Sequence, residues 1–309
     1  MRRAAIVAPV RTPVGKFLGG MRAIPAERLA ATAIEAVMAR TGVDPARTDD
    51  VVFAQSYANS EAPCIGRWAA LAANLPIEVP GSQVDRRCGG GLQAIVNAAM
   101  MVQTGAADAV LAGGVESMSN IEYYTTAMRG GARSGTVKLY DRLDRGRERS
   151  QPVERFGEIS GMIETAENVA REYQITREDS DAYAAESHRR AAAAWDSGKF
   201  AEEVIPVTVP QRKGDPVTIS RDEGVRADAT AESMAKLKPL MKGGIVTAGN
   251  ASQQNDAASA CLIVAEDKLQ ELGLKPMAFL SGWAAAGCHP AMMGIGPVHA
   301  VKRLFDRTG

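Results

Sequence analysis

Residues 84–94 read VDRRCGGGLQA. A short apolar approach, one cysteine and three glycines lead into a helical pattern. A strand running through such a turn into a helix would set Cys88 at the helix N-terminus. Unpaired N–H groups and the helix dipole favour an anion there. The thiolate is the nucleophilic form of cysteine, so the position suits a nucleophile. The Cys88 N–H is then a candidate oxyanion donor. Gly89, Gly90 and Gly91 would permit unusual backbone angles and close approach of a substrate. Arg86 and Arg87 add positive charge, although sequence neighbours on a strand point to opposite faces. The competing reading is a glycine turn beside a small inert thiol, because free cysteines are commonly buried. GGGLQA fits neither GxGxxG nor the P-loop spacing. Local residues leave both cysteine readings open.

The elements that must hold this turn alternate between strand and helix over the first third. Strands are expected at Arg3–Ala8, DVVFAQS, SQVD and DAVLAGGVES. Helices are expected at ERLAATAIEAVMART, around GRWAALAANL, and at GGLQAIVNAAMMVQT with Leu92, Ile95, Ala99 and Met100 facing inward. This alternation predicts an α/β fold with a mostly parallel sheet covered by helices. Residues 129–155 are rich in Arg and Gly and read as a long loop. Two helices follow, the first with Ile163, Ala166, Ala170 and Tyr173 on one face. Thr176 and Asp179 form a capping box for the second, and Gly198 stops it. Short strands and turns fill 200–243. The segment from Gly243 to Glu266 returns to strand–turn–helix or strand–turn–strand character. MAFLSGWAAAG reads as a strand and PVHAVKRLF as a helix opened by Pro297.

The chain has 309 residues, 46% of them apolar and 23% charged, with formal net charge +0. These are the proportions of a globular protein with a real core. The charge balance argues against a nucleic-acid partner. No apolar run is long enough to span a bilayer, so no membrane partner is expected. The N-terminus is too interrupted by Arg11 and Pro13 for a signal peptide. Cys64, Cys88, Cys261 and Cys288 are scattered without a CxxC pair. That suits free thiols in a reducing compartment, here the cytoplasm, and no metal site.

Several stretches together resemble the thiolase family. They are IVAPVRTPVGKFLGG, VDRRCGGGLQAIVNAA, LAGGVESMSN, TAENVAREYQITREDSDAYAAESHRRAAAA, GKFAEEVIPV, VTAGNASQQNDAASA and MGIGPVHA. They occur in the family's order and cover nearly the whole chain. The subgroup most similar is that of acetyl-CoA acetyltransferases and 3-ketoacyl-CoA thiolases. The resemblance implies a layered fold of duplicated βα halves with an inserted loop subdomain. It implies an N-terminal half over 1–118 plus 244–269, a loop subdomain over 119–243 for CoA and the acyl pocket, and the start of a second half over 270–309. It implies acyl transfer through an acyl-cysteine at Cys88. Ser252 falls where thiolases contact the pantetheine of CoA. Met162 falls at a methionine lining the acyl pocket, and Met118 near the active site. CoA and acyl-CoA thioesters are the expected partners, CoA being a co-substrate and no cofactor being needed. A homodimer or homotetramer is expected. The basic loop (Arg129, Arg133, Lys138, Arg142, Arg145, Arg147, Arg149) would face CoA phosphates or a neighbouring subunit, or is simply solvated; the second reading is preferred.

The sequence also departs from the family. Thiolases carry NEAF, GHP and CxGG motifs that supply an asparagine, an activating histidine and an acid/base cysteine. None occurs in these 309 residues. Cys288-His289-Pro290 resembles GHP but precedes MGIGP, the wrong place. His289 is therefore expected to be a turn residue, and His188 and His299 ordinary helix residues. Gly161 stands where a histidine often precedes the pocket methionine, and Gln253 and Gln254 replace small residues after GNAS. The expectation is a longer parent protein whose 309-residue part alone is poorly soluble and inactive in thiolysis. The alternative function is a non-catalytic thiolase-like acyl-CoA-binding protein or subunit. A ketoacyl-synthase relative is disfavoured by GGVESMS and TAENVA.

Overall fold

The computed structural model describes residues 2–159 and 161–309. From the N-terminus the chain forms β1 (Ala4–Arg11), β2 (Gly15–Lys16), α1 (Ala26–Thr41), β3 (Asp50–Ala54), α2 (Ile65–Ala72), β4 (Gly81–Val84), α3 (Gly90–Thr104) and β5 (Ala109–Ser117). The next stretch holds β6 (Tyr123–Tyr124), β7 (Tyr140–Asp141), α4 (Arg142–Glu148), α5 (Val153–Phe156), α6 (Met162–Glu172) and α7 (Arg177–Asp196). Then come β8 (Val207–Val209), β9 (Val217–Ile219), α8 (Ala231–Ala235), β10 (Asn255–Ala265), β11 (Ala278–Phe279) and α9 (Gly296–Thr308).

The main sheet has the order β11-β1-β10-β5-β3-β4, with β2 paired to β10. β3 pairs in parallel with both β4 and β5. The pairings of β10 with β1, β2 and β5, and of β1 with β11, are antiparallel. The expected mostly parallel sheet is thus corrected to a mixed one. β1, β3, β4 and β5 run one way, as strand–helix alternation demands. β10 arrives after the long stretch that holds β6–β9 and α4–α8, not after a single crossover helix, and inserts between β1 and β5 in the opposite sense. MAFLSGWAAAG gives only the two-residue β11, not a full strand.

Both faces of the sheet are covered, which is why LIVA in β10 and AVLA in β5 read as unbroken apolar runs. Leu111, Leu262 and Val264 pack on one face with Leu29, Ile34 and Val37 of α1 and Ile65 of α2. Val110, Ala112, Cys261 and Ile263 pack on the other with Ala94, Ala98, Ala99 and Val102 of α3. The expected inward face of α3 is corrected in part. Leu92 is 66% exposed, because small alanines, which let the helix sit close to the strands, set the contact stripe. In α6 the buried residues are Thr165, Glu167 and Ala170, whereas Ile163 and Tyr173 are exposed. An apolar-face argument misses this helix because its inward face carries a carboxylate. The capping box of Thr176 and Asp179 is present at the start of α7.

The chain divides into two compact units. The first holds residues through Asn120, Gly198–Gly224 and Gln254–Ser281; the second holds Ile121–Ser197, Val225–Gln253 and Gly282–Gly309. These boundaries differ from the expected 119–243 insert, and local bonds say why. Segment 198–224 joins the first unit through Arg11, whose backbone N–H meets Glu203 O and whose O meets Ile205 N–H, each at 2.9 Å. The Arg11 guanidinium also pairs with Glu203 at 2.7 Å and Asp222 at 2.8 Å. In the second unit, the Glu167 carboxylate accepts the Ile245 N–H at 2.9 Å and the Val246 N–H at 2.8 Å. Asn168 Nδ2 donates to Ala291 O at 3.1 Å, which brings 282–309 into that unit. Among the described residues no helix is long and apolar enough to cross a membrane.

Candidate active site

β3, β4 and β5 run in parallel, so their carboxyl ends share one edge of the sheet. Ligand crevices of open α/β sheets form at such an edge. The turn Asp85–Gly89 leaves β4 there and enters α3, and Met118 follows β5 at the same edge. Cys88 is exposed, whereas Cys261 is 3% exposed inside the core. The inert-thiol description thus fits Cys261, where burial pushes the thiol up to about 12. Disulfides are absent among the described residues, and all four cysteines are free.

The turn is built by short bonds. Asp85 Oδ1 accepts the Arg87 N–H at 2.8 Å, Arg86 O accepts the Gly89 N–H at 3.1 Å, and Arg87 O accepts the Gly90 N–H at 2.9 Å. Gly89 is the N-cap of α3 and, having no side chain, does not cap the helix itself. The positive end of the helix thus begins beside Cys88.

The glycines act differently from expectation. The unusual backbone angle belongs to Arg87, with φ +47°, and not to the glycine run. Gly90 is required by packing, since a Cβ there would stand 2.9 Å from Ala54 Cβ. A Cβ on Gly91 would meet nothing within 4 Å, so the open space lies above that position.

Met118 is half-buried and its Sδ accepts the Asn255 N–H at 3.4 Å. A fully buried carboxylate fixes its neighbours. Asp256 is 0% exposed and accepts from Ser117 Oγ at 3.3 Å, Ser119 N at 2.9 Å and Ser119 Oγ at 2.6 Å. Glu116 Oε2 accepts the N–H groups of Ser56 at 3.0 Å and Tyr57 at 3.2 Å.

Ser252 is exposed on a turn of the second unit. Asn250 Oδ1 accepts the Thr247 N–H at 2.8 Å, and Asn250 Nδ2 donates to Asp181 at 2.8 Å and to Ile245 O at 3.0 Å. Met162 opens α6 after Gly161 and lines a cavity of ≈ 390 Å³ with Asp144, Arg147, Ile163 and Met241. Cys88 and Met118 thus share the first unit, and Met162 and Ser252 share the second.

In the basic loop, Arg142 pairs with Glu122 at 2.6 Å, Arg145 with Glu148 at 3.3 Å and Arg147 with Asp144 at 3.3 Å. Arg129, Arg133, Lys138 and Arg149 are exposed. His188, His289 and His299 all lie in the second unit. His289 Nδ1 accepts the Ala291 N–H at 3.2 Å and so caps a short 3₁₀ turn; His188 Nδ1 accepts the Arg226 N–H at 3.2 Å.

The half-buried Glu116 and the buried Glu167, Asp181 and Asp256 are not among the sequence-derived candidates, because each lies inside a stretch valued for a neighbour. Their signal was a charged residue within an otherwise apolar or small-residue motif.

Residues 4–267 match the family described as Thiolase, N-terminal domain. An acetyl-CoA acetyltransferase of Chromobacterium violaceum is 43% identical over 306 residues, 99% of this chain and 77% of that protein. A beta-ketoadipyl-CoA thiolase of Acinetobacter baylyi is 42% identical over 100% of this chain and 77% of its own length. The crystal structure of the Bacillus anthracis acetyl-CoA acetyltransferase superposes with TM-score 0.94 at 38% identity, covering 100% of this chain and 77% of that one. Human mitochondrial 3-ketoacyl-CoA thiolase superposes with TM-score 0.92 at 35% identity, with the same coverage. With a family match over most of its length and the same fold throughout, this chain belongs to the thiolase family.

Proposed function

We propose that the chain is an acyl-CoA C-acyltransferase that cleaves 3-ketoacyl-CoA with CoA, or runs the reverse Claisen condensation, through an acyl-cysteine at Cys88. The observation that carries the reading is an exposed cysteine before a helix with no side-chain cap, within the segment matching the thiolase N-terminal domain. Relatives named acetyl-CoA acetyltransferase support acyl transfer and give no support to a non-catalytic binder.

In thiolysis the Cys88 sulfur attacks the 3-keto carbon. The bond between C2 and C3 breaks, and its electron pair leaves with acetyl-CoA as an enolate that takes up a proton. The CoA thiol then attacks the acyl-cysteine, releases acyl-CoA and restores Cys88. Each step passes an oxyanion, for which the Cys88 N–H at the start of α3 is our assigned donor. Met118 lies at the same sheet edge as Cys88, and we assign it to the surroundings of the nucleophile. Met162 contacts the acyl chain and Ser252 the pantetheine. CoA is a co-substrate, and the reaction calls for no other cofactor. The free thiols and the bacterial relatives support a cytoplasmic location, and we further propose a homodimer or homotetramer acting in fatty-acid or lipid metabolism.

Intact-mass spectrometry tests the nucleophile. Incubation with acetyl-CoA should add one acetyl group to the wild-type chain and none to Cys88→Ala. An unmodified wild-type chain, or a modified variant, would rule Cys88 out.

A further inference from the structure

The turn that bears Cys88 is strained and tied. Arg87 sits at φ +47°, the left-handed region that disfavours any residue with a Cβ. Such a conformation persists only where its surroundings hold it. Within the turn Asp85 Oδ1 accepts the Arg87 N–H at 2.8 Å, and a second hold comes from the side. Arg87 Nη1 donates to Ser56 O at 3.2 Å, and its guanidinium lies 5.6 Å from the centre of the Tyr57 ring. The Ser56–Tyr57 bend belongs to no helix or strand. It is held in turn by Glu116, whose Oε2 accepts both of its backbone N–H groups. Glu116 stands on β5 and is paired with Ala257 of β10 in the middle of the sheet. A continuous set of bonds therefore runs from the rigid sheet through Glu116, the 56–57 bend and Arg87 to the residue before the nucleophile.

We propose that Arg87 and Glu116 are positioning residues for Cys88: they keep the 87–88 peptide in its strained orientation and so keep the thiol in front of α3. The inference rests on the reading of Cys88 as the nucleophile. Neither residue touches the acyl group. Releasing the tie lets Arg87 relax to negative φ, which rotates the peptide and swings Cys88 off the helix start. The loss then falls on the rate of acyl transfer and leaves the affinity for acyl-CoA in place.

The test separates positioning from plain support of the fold. Arg87→Gly removes the tie to Ser56 yet tolerates φ +47° without strain, so its Tm should hold or rise. Glu116→Gln keeps the size of the side chain and an acceptor oxygen but loses the charge. Arg87→Lys keeps a donor that can reach the Ser56 carbonyl. Acetylation of Cys88 by acetyl-CoA is followed by quenched mass spectrometry on the full chain, with Tm measured alongside. The expected fall in maximal acetylation rate is about 10- to 100-fold for Arg87→Gly and about 10-fold for Glu116→Gln, with the half-saturating acetyl-CoA concentration unchanged. Arg87→Lys should recover most of the rate. Wild-type rates in Arg87→Gly and Glu116→Gln would overturn the proposal, as would losses that follow Tm or the half-saturating concentration. If the wild-type chain takes up no acetyl group at Cys88, the nucleophile reading fails first and the proposal falls with it.

Discussion

Asn250 donates through Nδ2 to the Asp181 carboxylate at 2.8 Å, and that bond ties the turn bearing Ser252 to helix α7. Asp181 is 2% exposed, and its other oxygen accepts from Arg177 Nε at 2.6 Å. Arg177 in turn donates to Met234 O at 2.7 Å and Leu237 O at 3.0 Å. One buried carboxylate thus sets the GNAS turn, the start of α7 and the end of α8 together.

Removing the two partners should have different costs. Asn250→Ala loses hydrogen bonds at a half-buried site and should destabilise the chain by about 1–2 kcal/mol. Asp181→Ala leaves Arg177 without its buried counter-charge and should cost about 3–5 kcal/mol. Urea unfolding measures both. If Ser252 contacts CoA, Asn250→Ala should also raise the half-saturating acetyl-CoA concentration while leaving the maximal acetylation rate near wild type. Equal destabilisation by the two substitutions would contradict this division of roles.

Asp256 gives a second case, in the first unit. Its carboxylate is fully buried and bonded to Ser117 and Ser119. Ser119 Oγ also accepts the Leu18 N–H at 2.7 Å, so the network reaches the loop after β2. Asp256→Ala strands these donors in the interior and should cost about 2–4 kcal/mol. Ser119→Ala removes fewer bonds and should cost about 1 kcal/mol. The double variant should fall short of the sum of the two, because both act on one network. Additive losses would show that Ser119 is held independently.

Cys261 makes a pH prediction. Its folded-state value is pushed up to about 12 by burial, from an ordinary 9.0. Below pH 9 the thiol is protonated in both folded and unfolded chains, and its burial carries no ionisation penalty. As pH rises from 9 towards 12 the unfolded chain loses this proton while the folded chain keeps it. Stability should therefore fall across that window by up to about 1.4 kcal/mol per pH unit. Cys261→Ala should flatten this alkaline limb in urea titrations at several pH values. An unchanged limb would assign the fall to other groups.

How much of this was legible in sequence depends on what each residue answers to. The helix at ERLAATAIEAVMART and the capping box at Thr176 depend on near neighbours, and local pattern found both. The order of the main sheet depends on β10, which arrives from far along the chain and settles between β1 and β5. No local period announces that. At the site, the VDRRCGGGLQA pattern made Cys88 a candidate, and only the ordered thiolase-like stretches favoured the nucleophile over an inert thiol. The bonds that hold Cys88 were not legible. Glu116 reaches Ser56 across about sixty positions of sequence, and only the parallel pairing of β3 with β5 brings them together. The glycines were legible as a turn, but their separate reasons were not. Arg87 takes the strained angle, and Gly90 answers to Ala54.

Gly90 and Gly91 are adjacent on the first turn of α3, yet alanine should act on them in opposite ways. At Gly90 an added Cβ stands 2.9 Å from Ala54 Cβ and must push the helix off β3. That overpacking should destabilise the chain by about 1–3 kcal/mol. At Gly91 the added Cβ meets nothing within 4 Å. Alanine there lowers the backbone entropy of the unfolded chain and should stabilise by about 0.5–1 kcal/mol. The open space above Gly91 borders the turn of Cys88, and under the proposed function an acyl-CoA is expected to approach the helix start through it. Gly91→Ala should therefore raise Tm and slow Cys88 acetylation in the same protein. A Gly91→Ala chain that gains stability and acetylates at the wild-type rate would show that the substrate reaches Cys88 from another side.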